Sequence, residues 1–311
     1  MTRMPLVVLT ALIAAAPSAW ADPPAATRPA LPLIVTPAWL ADHLPDPGLV
    51  VLHVGDAEAY RKHIPGARRV ALDDISISHG ADGLMLQLPP AEDLRHRLEA
   101  LGISNDSRII VYFTEDRVSA ATRVVLTLDA AGLGAQTALL DGGIAAWIRA
   151  GQPISEAAEP ARKGTLAPLA MRPIIAVAST VLASLGKPGV AVVDARDKVF
   201  YDGTKVGGMP GRPDRTGHIA GALSIPFDSV FDDKSMLRSV DELTARFTRA
   251  GVAPGDTVIG YCHVGQQATA MLLAARRLGH PVLLYDGSFE DWSLFHPGYP
   301  VTAAASREGT P

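Results

Sequence analysis

The chain has 311 residues, of which 48% are hydrophobic and 19% are charged, and its formal net charge is -4 at pH 7. This composition is that of an ordinary globular protein long enough for two domains. The balance of charge excludes a basic surface of the kind that binds nucleic acid, so we expect no nucleic-acid partner. The single cysteine excludes an intramolecular disulfide.

The amino-terminal segment has the features of a secretory signal peptide. Arg3 supplies a positive start, residues 6–16 are apolar, and Ala19-Trp20-Ala21 forms a small-residue cleavage site. We therefore expect residues 1–21 to be removed and the mature protein to be periplasmic or secreted. The apolar run is shorter than the roughly 20 residues of a transmembrane helix, so no stable membrane insertion is expected. An uncleaved amino-terminal anchor is the alternative.

The rest of the first half alternates between predicted strands and helices. A Pro/Ala-rich lead-in precedes a helix start at Thr36, with Pro37 in the first turn. Apolar runs typical of buried strands occupy residues 50–52, 69–72, 109–113 and 138–140. Patterns typical of helices occupy residues 91–101, 119–131 and 143–150. This alternation predicts an α/β fold, with a parallel sheet covered by helices on both faces.

The second half of the chain repeats the first. Seven residues recur at a common offset of 145, namely Leu128/Leu273, Leu133/Leu278, Gly134/Gly279, Leu139/Leu284, Asp141/Asp286, Gly142/Gly287 and Trp147/Trp292. Residues 63–67 recur as 218–222 at a larger offset, so the second copy gains residues in the Gly/Pro/Arg-rich segment 201–216. We predict domains at 33–155 and 173–303, joined by a linker at 156–172.

The only cysteine, Cys262, lies where a predicted strand meets a predicted helix. Residues 258–261 are an apolar run, and residues 267–279 carry helix formers and a closing glycine. The turn between them falls at the carboxyl end of the sheet, where open α/β sheets bind ligands. The amides of this turn would stabilise a thiolate and then a persulfide, and Gly265 would permit the turn. The alternative is a small buried apolar residue.

Four motifs in this order resemble the rhodanese family of sulfurtransferases. They are Val192-Val193-Asp194-Ala195-Arg196, Gly217-His218-Ile219-Ala220-Gly221-Ala222, Tyr261-Cys262 with its glycine-containing loop, and Tyr285-Asp286-Gly287 with Trp292. The resemblance covers the mature chain as two tandem rhodanese-like domains. It implies that Cys262 takes sulfane sulfur from a small donor, becomes a persulfide and passes the sulfur to a thiophilic acceptor such as cyanide or a thiol. A protein is a further candidate acceptor.

The candidate site consists of Cys262 as the catalytic residue and six substrate-binding residues: His263, Val264, Gly265, Gln266, Gln267 and Arg196. The alternative for His263 is an idle, solvated loop position, and for Gln266 and Gln267 it is simply the start of the helix. The alternative for Arg196 is a structural ion pair with Asp194 or a loop anchor. One cysteine with scattered histidines is a poor zinc set, so we expect no metal or other cofactor.

The loop sequence CHVGQQA limits what the resemblance implies about the donor. Thiosulfate-using members tend to carry basic loop residues, and mercaptopyruvate-using members have a Cys-Gly-(Ser/Ala)-Gly pattern, but this loop has neither. Thiosulfate is our first candidate, held by backbone amides, His263 and outlying arginines such as Arg196, Arg212 or Arg215. The position of a donor-binding arginine in tandem thiosulfate enzymes falls on Phe200.

The first copy departs from the pattern at the site itself. With the copies aligned on Trp147 and Trp292, Arg117 stands opposite Cys262. His53 and Gly55 likewise stand where the second copy has Asp194 and Arg196. We therefore predict a non-catalytic amino-terminal domain that packs against the second and walls one side of its pocket.

Two other functions stay open at this point. A sulfur carrier or binding module would load a persulfide and deliver it to a partner without turnover. A cysteine-dependent phosphatase or arsenate reductase is less favoured, because protein phosphatases need an arginine six residues after the cysteine and this chain has Ala268 there.

Overall fold

The computed structural model describes residues 29–78, 83–114, 117–160, 162–209 and 211–303. The predicted signal peptide lies outside the described residues. Both copies lie in one compact unit that begins at Leu31.

The strands of the first copy form a parallel five-stranded sheet in the order β1-β5-β4-β2-β3. Their bounds are β1 Ile34–Val35, β2 Leu49–Val54, β3 Arg68–Val70, β4 Arg108–Phe113 and β5 Thr137–Leu140. The strands of the second copy are β6 Ile175–Ala176, β7 Val190–Asp194, β8 Gly208–Met209, β9 Arg212–Pro213, β10 His218–Ile219, β11 Leu223–Ser224, β12 Thr257–Tyr261, β13 Val282–Tyr285 and β14 Val301–Thr302.

The second copy has the topology of the first. Its parallel sheet runs β6-β13-β12-β7-β11, which is the same succession of equivalent strands. Two short antiparallel ribbons, β8 with β9 and β10 with β14, lie outside this sheet. The duplication inferred from the sequence is therefore a duplication of the fold.

The helices occupy the segments between these strands. Their bounds are α1 Pro37–His43, α2 Ala91–Ala100, α3 Val118–Leu128, α4 Gly143–Arg149, α5 Ala178–Ser184, α6 Lys198–Tyr201, α7 Val240–Ala250, α8 Ala268–Arg277 and α9 Ser288–Leu294. Thr36 caps α1 as predicted, its hydroxyl oxygen accepting the Trp39 amide. Ser239 and Glu242 form a capping box at the start of α7.

Alternation of side chains along the strands gives each sheet two apolar faces. In β2, Val50 and Leu52 contribute to an inner core shared by both copies, whereas Val51 faces an outer core of the first copy. The second copy has its own outer core, which includes Trp292. Helices α3 and α8 pack against each other inside the shared core. The prediction of helices on both faces of each sheet is confirmed.

The segment Val118–Gln136, which includes α3, is long and apolar enough to cross a membrane by length and composition. Its environment points to a different role, because 78% of its apolar window is buried inside the protein. The apolar character of α3 therefore follows from its position in the shared core.

A pair of equivalent tyrosines fixes the structural alignment of the copies. The Tyr112 hydroxyl accepts the Ile64 amide at 3.1 Å, and the Tyr261 hydroxyl accepts the Ile219 amide at 3.1 Å. The residue that follows Tyr112 is therefore the counterpart of Cys262, and it is Phe113.

The prediction that Arg117 stands opposite Cys262 is wrong. Trp147 follows Phe113 by 34 residues, whereas Trp292 follows Cys262 by 30. An ungapped alignment on the tryptophans therefore slips, because the first copy has four more residues (34 minus 30) between the end of its central strand and its tryptophan. The phenylalanine leaves the conclusion unchanged, because no nucleophilic sulfur stands at this position of the first copy.

A tyrosine–histidine stack locates the inserted residues of the second copy. The Tyr60 ring stacks on His63, and its hydroxyl donates a hydrogen bond to the Ala67 carbonyl. Tyr201 makes the same two contacts with His218 and Ala222. Three positions separate the first pair and seventeen separate the second. The insertion lies between Tyr201 and His218, as the sequence predicts.

Candidate active site

Cys262 directly follows the central strand β12 of the second sheet. Its amide donates to the Ser288 hydroxyl at 3.2 Å, and its carbonyl accepts the Phe289 amide at 3.0 Å. The side chain has no exposed surface and belongs to the shared inner core. The sulfur therefore does not line the neighbouring cavity in this conformation, because the side chain that follows the central strand lies in the interior layer.

The turn after Cys262 presents unpaired backbone amides. Among the described residues, no acceptor takes the N–H groups of residues 263–268. Gly265 has φ +78°, and a Cβ there would lie 2.6 Å from the Asp286 carbonyl oxygen, so the turn requires glycine as predicted. Such a run of amide donors ahead of a helix favours an anion or a thiolate.

A cavity of about 420 Å³ lies beside this turn. It is lined by Met85, Leu86, Phe200, Val206, Gly207, Gly208, Asp214, His263, Val264, Gln266 and Glu290. Met85 and Leu86 come from the first copy, which confirms that this copy walls one side of the pocket. The structure thus brings three predicted residues, His263, Val264 and Gln266, to one cavity next to Cys262.

The other predicted substrate-binding residues lie outside this lining. Gln267 has a buried Oε1 with no hydrogen-bond partner in the described part of the chain. The Gly265 carbonyl accepts a hydrogen bond from Arg123 of the first copy at 3.1 Å. Arg123 also pairs with Asp286 at 2.6 Å, so it ties the turn to the first copy.

Arg196 is not available to a substrate, and the prediction that it binds one is wrong. Its guanidinium pairs with Asp194 at 2.6 Å and donates to the Gly217 carbonyl, and the side chain is 1% exposed. It also lies 4.0 Å from the centroid of the Phe289 ring. Burial lowers the pKa of Arg196, but Asp194 raises it by more, so its pKa is raised overall. The alternative of a structural ion pair is the observed one.

The outlying arginines also contact other groups. The Arg215 guanidinium donates to the carbonyls of Pro297 and Tyr299. Arg212 donates to the Gly83 carbonyl and lies 3.6 Å from Glu290. Among the described residues, no lysine or arginine lines the cavity.

His263 and Asp214 form a hydrogen-bonded pair in the cavity wall. The Nδ1 atom of His263 lies 3.1 Å from Oδ2 of Asp214, and the Phe200 ring meets the imidazole edge-on at 4.7 Å. Sequence reasoning missed Asp214, which lies in the inserted segment where no periodic pattern singles it out. Met85, Leu86 and Glu290 were also missed, because only tertiary packing brings them to the site.

The duplicated aspartates are architectural, as their presence in both copies predicts. Asp286 accepts the Leu88 amide of the first copy at 2.7 Å, and Asp141 accepts the Leu237 amide of the second at 2.8 Å. Each copy thus holds a backbone segment of the other. Among the described residues, no cluster of three or more His, Cys, Asp or Glu side chains has the arrangement of a metal site.

Comparison with known proteins places this site in a family. Residues 36–150 and 177–294 each match the model of the rhodanese-like domain. The chain is 30% identical to thiosulfate sulfurtransferase from Azotobacter vinelandii, over 87% of this chain and 97% of that protein. It is 30% identical to 3-mercaptopyruvate sulfurtransferase from Escherichia coli K12, over 82% of this chain and 92% of that protein.

The fold gives a similar result. The crystal structure of the 3-mercaptopyruvate sulfotransferase SseA from Escherichia coli superposes with a TM-score of 0.72 at 28% identity. That match covers 82% of this chain and 98% of the SseA chain.

Proposed function

The chain belongs to the rhodanese family, and on that premise we propose that it is a sulfurtransferase that moves sulfane sulfur from a small donor to a thiophilic acceptor through a persulfide on Cys262. One observation carries this proposal: the only cysteine directly follows a central strand and is itself followed by backbone amides that have no acceptor among the described residues. The thiosulfate and 3-mercaptopyruvate sulfurtransferases at 30% identity support the reaction class.

The proposed reaction has two displacements. The Cys262 thiolate attacks the sulfane sulfur of thiosulfate, the S–S bond of thiosulfate breaks, and sulfite leaves with the bonding electrons. The acceptor then attacks the outer sulfur of the persulfide, and Cys262 leaves as a thiolate. The amides of residues 263–268 stabilise the negative sulfur in both steps.

The donor must cross the turn that encloses the sulfur. His263, Val264 and Gln266 line the cavity, whereas Cys262 itself is fully buried. We propose that this turn moves aside when a donor enters, since the cavity already reaches the neighbours of Cys262. A bulky thiol reagent should therefore alkylate Cys262 more slowly than a small one.

Turnover of thiosulfate and cyanide to thiocyanate tests the proposal. We expect the purified protein to turn over and Cys262→Ser to lose at least about a thousandfold in rate, because the hydroxyl is a much weaker nucleophile. Equal rates in the two proteins would refute it. Absence of turnover in a protein that still acquires a sulfur atom would identify a carrier.

We also propose that the protein acts outside the cytoplasm. The charged start, apolar run and small-residue site of residues 1–21 support this proposal. Amino-terminal sequencing of the protein from the periplasmic or secreted fraction is expected to begin at Asp22. Recovery of the uncleaved chain only from the cytoplasm would contradict it.

A further inference from the structure

The inserted segment of the second copy delivers a carboxylate to the histidine beside Cys262. We propose that His263 is the general base that removes the proton from a thiol acceptor, and that Asp214 is the positioning residue that orients it. This inference rests on the sulfur transfer proposed above and concerns only its second displacement.

The hydrogen bond between Asp214 and His263 determines which nitrogen of the imidazole ring carries the proton. Asp214 is almost fully enclosed, with 2% of its side chain exposed, and its Oδ2 lies 3.1 Å from Nδ1 of His263. An ionised carboxylate only accepts hydrogen bonds, so the proton of the neutral ring sits on Nδ1. The lone pair then lies on Nε2, the atom that a base uses.

The Nε2 atom is open to a ligand. It has no hydrogen-bond partner among the described residues and is not buried, and His263 lines the cavity. A thiol in the cavity therefore has access to this nitrogen.

The inserted segment also fixes the imidazole plane. A Cβ on Gly207 would lie 2.3 Å from Cε1 of His263, so the backbone of the insertion packs directly against the ring. The Phe200 ring packs edge-on against the imidazole of His263, with 4.7 Å between the two ring centroids. A base held in one orientation is in place before the acceptor arrives, which is the condition for efficient proton transfer.

Four charged side chains of the described residues surround the pair of His263 and Asp214 or lie close to it. Asp214 and Glu290 line the wall, and Glu290 has Arg212 at 3.6 Å. Arg196 lies close enough to Asp214 for their charges to interact, and Asp194 neutralises it. Because Glu290 faces Arg212 and Arg196 is paired with Asp194, Asp214 is the carboxylate left to orient His263.

The step balances without an oxidant or reductant. The acceptor R–SH gives its proton to Nε2 of His263, and the resulting R–S⁻ attacks the outer sulfur of Cys262–S–SH. The S–S bond breaks, Cys262 leaves as a thiolate, and the product is R–S–SH. The imidazolium then returns its proton to solvent.

Single-turnover discharge of the loaded protein tests the assignment. The protein is loaded with thiosulfate, freed of excess donor, and discharged by 2-mercaptoethanol or by sulfite, which has no thiol proton to remove. Loss of the sulfur atom is followed by intact mass. In Asp214→Asn and His263→Gln we expect the rate with 2-mercaptoethanol, relative to sulfite, to fall by about 10- to 100-fold at pH 7.

The pH profile separates a base from a structural residue. The deficit of both variants should shrink as the pH rises to about 9.5, because the thiol then ionises without help. Asp241→Asn, on the exposed first turn of α7, and His96→Gln, on the exposed side of α2, are the matched controls and should follow the wild type. Rates are taken only from loaded molecules, so a partly unfolded sample does not distort them.

One result would overturn the assignment: a ratio of the two rates that stays unchanged in both variants across the pH range, whether or not both rates fall. Failure to load any sulfur on the wild type would instead refute the proposed function itself.

Discussion

The two copies hold equivalent tyrosines against different partners. In the first copy the Tyr112 hydroxyl lies 2.8 Å from Nδ1 of His53. In the second copy Asp194 faces Tyr261 and is neutralised by Arg196, with which it forms an almost fully buried ion pair. Both hydroxyls accept a backbone amide at the same place in the fold. Duplication has thus kept the scaffold and exchanged the polar groups within it.

The same contrast extends to the positions that follow. The counterpart of Cys262 is Phe113. The counterpart of Ser288 is Gly143, because both residues have a positive φ and both lie beside the end of the central strand of their own copy. The first copy is apolar where the second carries a sulfur and a hydroxyl. The difference explains why one copy supplies a wall and the other supplies the chemistry.

The buried ion pair should be the most costly feature to break. Arg196→Met leaves the Asp194 charge buried without a partner, and we expect a loss of about 3–5 kcal/mol in the free energy of unfolding. Urea denaturation measures it. The matched control is Arg61→Met, which breaks an exposed pair with Glu58 and should cost less than about 1 kcal/mol. Equal costs at the two sites would contradict the structural role of Arg196.

The histidine of the first copy should make stability depend on pH. Burial, and then the charges of His63 and Arg69, lower the pKa of His53 from 6.5 to about 4. The unfolded chain binds the proton first, so this stabilisation is complete above pH 6.5 and is lost as the pH falls toward 4.

When the pH falls from 7 to 4.5, we expect the free energy of unfolding to decrease by about 2–3 kcal/mol less in His53→Gln than in the wild type. Denaturation at the two pH values measures the difference. His96→Gln, which removes a half-exposed histidine from α2, should behave as the wild type. Parallel pH dependence in His53→Gln and the wild type would show that His53 does not titrate in this way.

Exchanging the two equivalent residues with positive φ, by Gly143→Ser and Ser288→Gly, should change the free energy of unfolding by smaller amounts, and the two substitutions should differ. In Gly143→Ser the new Cβ would lie 2.4 Å from the Phe113 carbonyl oxygen, at φ +55°, so we expect a loss of about 2 kcal/mol. In Ser288→Gly, relief of the strain at φ +52° offsets the lost hydrogen bond to the Cys262 amide, so stability should change by less than about 1 kcal/mol.

Sulfur transfer should respond in the reverse order. Ser288→Gly should slow loading of Cys262 by roughly tenfold, because the amide of the nucleophile loses its acceptor and its position. Gly143→Ser should leave loading unchanged in the folded protein. Slow loading of Cys262 in Gly143→Ser together with a normal loading rate in Ser288→Gly would contradict the assignment of the chemistry to the second copy.

The fold could be predicted from the sequence because its evidence is local and repeated. Apolar runs and helical patterns recur in both halves, and Asp141 and Trp147 recur as Asp286 and Trp292. The slip at Arg117 came from the longer span between the central strand and Trp147, since an ungapped alignment takes no account of inserted residues.

The site could be predicted only in part. Cys262 and the Gly265 turn follow from the junction of a strand and a helix, which is a local pattern. Three other features depend on tertiary contacts: the ion pair that Arg196 forms with Asp194, the burial of the Cys262 sulfur, and the hydrogen bond between Asp214 and His263. A carboxylate in an insertion without a counterpart in the first copy is the one feature of the sequence that pointed to Asp214.

Intact mass after incubation with thiosulfate tests the central claim most directly. Because the chain contains a single cysteine, an added sulfur that the Cys262→Ser variant does not acquire must reside on Cys262. We predict that the wild type gains one sulfur atom, that cyanide removes it, and that Cys262→Ser gains none. A wild type that never gains the sulfur atom, or a Cys262→Ser variant that gains it equally, would contradict the account.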